Sequence, residues 1–284
     1  MLAGLLEIGI STKDRWDVLR KTLQALNEFG LGDLRLLLVD DGSQEQCPYD
    51  PVTICPGSEV LRFNESRGYI VRRNQIMDAA RAPFVLQIDD DAYPVEGSLG
   101  AAVNFMHERS NALALTFPTY NPVHQKHQIR SLHQQAYQTR SFIGCAALLS
   151  RRHFTALGGY RTELVHFAEE LDLAARGYQR DLYCYHYPDA RFYHEESARA
   201  RNWERMDYFG ARNMVLLTDW FAPAPERFLQ QAQNTMVRLR MSIPDRFGNL
   251  RGHIAGLRTR ARWRTNRRRM SRTQYRQWRS LPTY

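Results

Sequence analysis

Three polar clusters, two of them rich in aspartate, carry the first chemical signal in this chain. The sequence runs Ser11-Thr12-Lys13-Asp14, later Asp40-Asp41-Gly42-Ser43, and later still Asp89-Asp90-Asp91. Each cluster follows a short apolar run, at residues 5–10, 34–39 and 84–88. Short apolar runs bounded by polar residues read as buried strands. In an open α/β sheet, ligands bind beyond the carboxyl ends of the strands. Aspartates gathered at one sheet edge repel one another unless something positive lies between them. A hard divalent cation, Mn2+ or Mg2+, answers that need, because it takes oxygen ligands and is shared readily between carboxylates and substrate phosphates. A substrate carrying a diphosphate is the partner this chemistry implies. Arg67, Arg72 and Arg73 lie between the second and third clusters, and guanidinium forks match phosphate oxygens. One acidic doublet after a strand is usually a turn or a helix cap. The functional reading rests on the repetition.

The elements that would position these residues alternate. Apolar runs at 5–10, 34–39, 60–63, 84–88 and 112–117 read as strands, and helical spacing follows at 14–29, 70–80 and 95–106. Strand–helix alternation predicts a mostly parallel sheet with right-handed crossovers. The segment 120–141 is polar and irregular, too long for a routine connection. The pattern resumes with a strand at 145–149, an acidic helix near 169–176, strands at 182–187 and 190–193, and helices at 200–219 and 225–241.

Composition bounds the class. The chain has 284 residues, 43% hydrophobic, which excludes wholesale disorder. No apolar run approaches the ~20 residues of a membrane span, and the N-terminus lacks the basic and apolar regions of a signal peptide. Four cysteines show no metal-type spacing and read as free thiols in a reducing cytoplasm. The formal charge is +9, but residues 251–284 alone carry 11 Arg and no acidic residue, leaving −2 on the first 250. A near-neutral body is a poor nucleic-acid backbone binder. The segment interleaves Trp263, Tyr275 and Trp278 with its arginines. That mix reads either as a solvated terminus or as a contact with an anionic membrane surface.

The ordered set IGISTKDRWDVLRKTLQAL, LLLVDDGS, NESRGYIVRRNQIMDAARAPFVLQIDDDAYP, FIGCAALLSRRHFTALGGY and FAEELDLAARGY resembles glycosyltransferase family 2 of bacterial type. The likeness runs from about residue 5 to about 217. It implies the α/β glycosyltransferase A (GT-A) fold: a Rossmann-like, mostly parallel sheet flanked by helices, with a C-terminal helical and basic extension. With the charge pattern, which alone marks the tail, the chain divides into a catalytic domain at 1–220 (nucleotide half 1–118, acceptor half 119–220), a helical segment at 221–250 and the basic tail at 251–284.

By the same resemblance, Ser11, Thr12, Asp40, Asp41 and Arg73 hold the nucleotide, with Asp40 or Asp41 accepting the imide N–H of uracil or thymine. The Asp-x-Asp pair is Asp89 and Asp91. Asp91 ligates the metal, Asp89 contacts ribose or metal, and His194 is a third ligand. Asp90, Gly144, Cys145 and Glu169 shape the sugar and acceptor pocket. Glu170 is the general base of an inverting transfer, and Arg212-Asn213 either contacts phosphate or packs its helix. The implied donor is a nucleoside-diphosphate sugar carrying UDP or dTDP. The acceptor is a hydroxyl of a glycan or lipid-linked glycan in cell-surface polysaccharide synthesis, reached from the cytoplasm, with the tail at the inner membrane face. Retaining transfer on the same fold, a glycoside hydrolase and a polyanion-binding protein are the alternatives. No segment signals an oligomeric state.

Overall fold

The computed structural model describes residues 2–196, 202–241 and 247–283. Residues 200–201, 242–246 and Tyr284, which the expected C-terminal segments include, lie outside the described residues.

The strands are β1 (Leu6–Thr12), β2 (Leu36–Asp40), β3 (Ser58–Arg62), β4 (Phe84–Asp89), β5 (Ala92–Gly97), β6 (Ala112–Thr116), β7 (Thr119–Asn121), β8 (Lys126–Ile129), β9 (Tyr137–Thr139), β10 (Ala146–Ser150), β11 (Tyr183–His186) and β12 (Ala190–His194). The helices are α1 (Trp16–Glu28), α2 (Tyr69–Ala79), α3 (Leu99–Glu108), α4 (Arg151–Ala156), α5 (Glu169–Tyr178), α6 (Trp203–Phe221), α7 (Glu226–Met241), α8 (Phe247–Thr259) and α9 (Arg272–Ser280).

The main sheet has the order β3-β2-β1-β4-β10-β6-β11-β9. Strands β3, β2, β1 and β4 are mutually parallel, as are β6 and β11, whereas β10 and β9 run antiparallel. Helices cover both faces, so the central strands are apolar throughout. All five residues of β2 (LLLVD) are buried. Gly9 in β1 leaves the space that Ile76 of α2 fills, since a Cβ there would overlap the isoleucine. Register then sets the site. Thr12 lies beside Asp40, and Ser11 beside Asp89, so the polar ends of β1, β2 and β4 reach one edge.

A second sheet, β5-β12-β7-β8, was not legible in the sequence. Val95 falls in β5 and not in the expected helix, because Ser98 caps α3 by accepting from Ala101 N–H. The polar segment 120–141 is not structureless, since it supplies β8 and β9 and part of β7. Its edge strands pair through backbone groups, which leave no hydrophobic alternation to read.

The basic segment also departs from its expected form. Met270, Tyr275 and Trp278 are buried with Trp220 and Phe221 in one cluster that reaches the central strands. The Trp278 indole N–H donates to Arg140 O at 3.0 Å. Tyr275 and Trp278 therefore cannot form an aromatic belt in a membrane interface. Body carboxylates meet several of the arginines: Asp219 pairs with Arg267 at 2.6 Å, and Glu226 with Arg272 and Arg276, each at 3.0 Å. Helix α8 lies close on α6, because Gly252 and Gly256 leave room for Tyr208 O and Arg212 O. The core thus runs through the expected boundaries at 220 and 250. Among the described residues, no helix is long and apolar enough to cross a membrane.

Candidate active site

The edge formed by β1, β2 and β4 carries the acidic clusters, and each carboxylate has a distinct environment. Asp41 is saturated. It accepts from Ser66 Oγ (2.8 Å), Arg67 N (2.8 Å), Gly68 N (2.9 Å) and Arg72 Nε (2.5 Å). Burial opposes its ionisation, but the Arg67 N–H, Ser66 and Arg72 outweigh this and hold it below its ordinary range. Its work is to close the 65–68 loop at the start of α2. Asp40 accepts from Ser43 N and Ser43 Oγ on one oxygen. Its other oxygen is buried without a hydrogen bond and faces Arg62 at 3.4 Å.

The three carboxylates of the triplet have different partners. Asp90 is buried: it accepts from Thr12 Oγ1 at 2.7 Å and lies 3.2 Å from Arg15. Burial pushes its carboxyl up to about 7 although Arg15 opposes the shift. Neither Asp90 nor the Thr12 hydroxyl is therefore turned to a ligand, contrary to the sugar-facing role expected for Asp90. Partly exposed Asp89 and buried Asp91 meet His194, which ends β12. The three ligand atoms lie within 4.8 Å of one another. His194 Nε2 is 3.3 Å from Asp91 and 4.0 Å from Asp89, while its Nδ1 meets Gln128 Oε1 at 3.1 Å. That bond fixes the ring with Nε2 toward the carboxylates, the usual outer support of a metal-binding imidazole. Two carboxylate oxygens and one imidazole nitrogen, with Asp89 still 35% exposed, fit a hard divalent ion that keeps positions open for phosphate.

The positive charges of the site were only partly legible. Arg15 bridges Asp90 and Asp91, the latter at 2.5 Å. Nothing in its sequence setting marks it. Burial works against ionisation of Asp91, but His194 and Arg15 more than offset that and hold the carboxyl below its usual range.

Arg73 is buried on α2 and spans the site. Its guanidinium binds Asp89 at 2.7 Å, Glu169 at 3.1 Å and Gly144 O at 3.0 Å, lies 3.5 Å from Glu170, and stacks on Tyr69 at 4.6 Å. Gly144 is required there, because a Cβ would overlap both Glu170 and Arg73. Cys145 follows it, buried, and its carbonyl accepts from Asp89 N at 3.1 Å. Ser11 sits half-buried at the end of β1.

Glu169 and Glu170 open α5, where the helix N-terminus favours carboxylates. Glu169 is 1% exposed. Burial, and then Glu170, push its carboxyl well above the ordinary range, against Arg73. The Glu170 side chain is 18% exposed where it meets Arg73. The loop before them is held in unusual backbone, with positive φ at Val165 (63°), Phe167 (66°) and Ala168 (71°). Asn213 of α6 secures it by donating to Leu164 O (2.9 Å), His166 O (2.8 Å) and Phe167 O (2.7 Å). Arg212 adds bonds to Glu163 O and Leu164 O, and Tyr69 OH accepts from Phe167 N at 2.9 Å. Of the two alternatives for Arg212-Asn213, the structure supports the packing one.

Fold and site geometry together are of one recognisable kind, and comparison with known proteins gives the family. The sequence profile of glycosyl transferase family 2 matches residues 7–161, and the chain belongs to that family. It is similar to the pre-mycofactocin glycosyltransferases of two Mycobacterium tuberculosis strains, at 28% identity over 200 residues, covering 63% of this chain and 42% of each relative. The chain thus spans less than half the length of the curated relatives it matches. Among solved structures it resembles GalNAc-T7 with UDP, GalNAc and Mn2+ (TM-score 0.62, 13% identity, 78% of this chain and 49% of that one). It also resembles S. aureus TarS 1–349 (TM-score 0.61, 14% identity, 89% and 79%). A third is the mannosyltransferase PcManGT from Pyrobaculum calidifontis with GDP-Man and Mn2+ (TM-score 0.57, 15% identity, 91% and 76%). These likenesses confirm the GT-A fold.

Proposed function

We propose that this chain is an inverting, metal-dependent glycosyltransferase that moves a sugar from a UDP- or dTDP-sugar to a hydroxyl of a glycan or lipid-linked glycan. The observation that carries the reading is the continuity of the site. Asp89, Asp91 and His194 converge at the end of β4, and Arg73 links Asp89 directly to the Glu169-Glu170 pair. Donor and acceptor chemistry are thereby supported side by side.

In this reading Asp89, Asp91 and His194 hold Mn2+ or Mg2+. A divalent ion there supplies charge neutralisation for the departing nucleoside diphosphate. Ser11 and Asp40 contact the nucleoside, the Asp40 oxygen that faces Arg62 without a hydrogen bond being the better acceptor for the base imide because Asp41 is already saturated. Arg73 faces the phosphates. Gly144 and Cys145 line the sugar side, and Glu169 fixes Arg73. Glu170 accepts the proton of the acceptor hydroxyl as that oxygen bonds to the anomeric carbon. The bond from that carbon to the β-phosphate oxygen breaks, and the nucleoside diphosphate leaves on the opposite face. Positioning and charge do most of the work. Incubation with a donor panel and acceptor oligosaccharides tests the class through nucleoside-diphosphate release. The anomeric configuration of the product, read by NMR, tests inversion: a retained configuration contradicts it.

A further inference from the structure

A second charged cavity lies away from the aspartate edge. It opens between the C-terminal part of α6, the first turns of α7 and the residues that follow α8, with a volume of about 410 Å3. That is within the range of small-ligand sites (~300–1,000 Å3). Five arginines line it: Arg227, Arg260, Arg264, Arg267 and Arg269. Among the described residues, Asp219 is the one carboxylate in the lining, and Arg267 already pairs with it at 2.6 Å. Arg227, Arg260, Arg264 and Arg269 have no ion-pair partner among the described residues, unlike the neighbouring Arg272 and Arg276, which meet Glu226. Burial, and then Arg269, Arg267 and Arg260, lower the Arg227 pKa, with Asp219 opposing. Five like charges converge here on one carboxylate, which Arg267 already engages.

Such an arrangement is unfavourable by itself and becomes favourable around a multivalent anion. Guanidinium forks suit phosphate oxygens best, binding them in pairs. The rim adds a second property: Phe228, which lines the cavity, is 62% exposed, and Leu229 beside it is 63% exposed.

We propose that the arginine cavity between α6, α7 and the end of α8 is a binding site for a phosphate- or diphosphate-bearing anion, separate from the donor site. This inference does not rest on the transferase reading. The phosphate belongs either to a soluble ligand or to a lipid headgroup, whose chain Phe228 and Leu229 would meet.

The test compares the full chain with its Arg260→Gln/Arg264→Gln variant. Both arginines are exposed, and neither side chain has a hydrogen bond or ion pair among the described residues. Inorganic pyrophosphate is titrated by calorimetry in EDTA, so that binding elsewhere contributes equally to both proteins. Flotation uses phosphatidylcholine vesicles with and without phosphatidylglycerol. Pyrophosphate affinity at least tenfold weaker in the variant supports the site. Flotation that requires phosphatidylglycerol and is lost in the variant assigns the phosphate to a lipid. Pyrophosphate binding without flotation assigns it to a soluble ligand. If the double variant melts early, Arg264→Gln alone gives the same comparison. Wild type and variant behaving alike with both probes, including no binding by either, overturns the proposal.

Discussion

Arg73 binds Asp89 at 2.7 Å, and the same guanidinium lies 3.5 Å from Glu170. One buried side chain therefore ties the aspartate at the end of β4 to the carboxylate at the start of α5, residues 81 positions apart in sequence. The link separates the roles of the two glutamates, since Glu169 is buried against Arg73 while Glu170 keeps an exposed edge. Glu170→Gln is expected to lower transfer by ~10² or more while donor affinity changes little. Steady-state rates together with calorimetric donor binding check this. Transfer near the wild-type rate removes Glu170 as the base.

Asn213 supports the same carboxylate from behind. Its amide donates to three carbonyls of a loop that holds positive φ at three non-glycine residues. Removing it strands buried acceptors, each worth ~1 kcal/mol or more. Asn213→Ala is expected to destabilise the protein by about 2–3 kcal/mol and to lower kcat more than donor affinity. Urea unfolding and single-turnover rates measure the two effects. An unchanged urea midpoint contradicts the strap.

Buried His186 and half-buried His166 give a pH signature. Burial pushes both His166 and His186 down to about 4, and at His166 Arg205 and Arg73 add to the shift. Between the ordinary value of 6.5 and 4, the unfolded chain takes up protons that the folded chain refuses. These residues therefore contribute full stability above pH 6.5, and that contribution is lost as the pH falls toward 4. Buried Asp90 shifts in the opposite sense, so the readout is the difference between wild type and His186→Gln. That difference is expected to be flat above pH 6.5 and to move against the wild type below it, by up to ~1.4 kcal/mol per pH unit. Urea midpoints across this window check it, and a flat difference throughout contradicts the buried neutral imidazole.

The C-terminal aromatics make a stability prediction in place of a membrane one. Trp278 is 5% exposed and its indole N–H is bonded to Arg140 O. Trp278→Ala is expected to cost ~3–5 kcal/mol, and a chain ending near residue 250 is expected to aggregate, because it uncovers Trp220 and Phe221. Thermal melts decide this. A truncated chain that melts with the full one would return the segment to a loose tail.

How much of this was readable in advance follows from which interactions are local. Buried parallel strands announce themselves as apolar runs, so β1, β2, β4 and β6 and the polar clusters at their ends were legible. So was the order that brings Asp89, Asp91 and His194 together, through the family likeness. Side-chain direction was not. Asp41 and Asp90 look equivalent to Asp40 and Asp89 in the sequence, yet Arg72 saturates the first, and Thr12 and Arg15 draw the second inward. Arg15 itself carries no motif. The second sheet depends on backbone pairing at edge strands, which leaves little trace in composition. In the basic segment, abundant arginine hid two patterns: Tyr275 and Trp278 spaced three apart on one helical face, and Gly248, Gly252 and Gly256 spaced by four. Both were signals of packing.

In the proposed reaction the Asp89, Asp91 and His194 group holds a divalent ion for a nucleoside-diphosphate donor. Calorimetric titration of UDP and dTDP, with Mn2+ and with EDTA, tests it in the wild type and in Asp91→Asn. Binding that requires Mn2+ and is lost in Asp91→Asn is the predicted result. Binding that is equally tight in EDTA, or that survives Asp91→Asn unchanged, contradicts it.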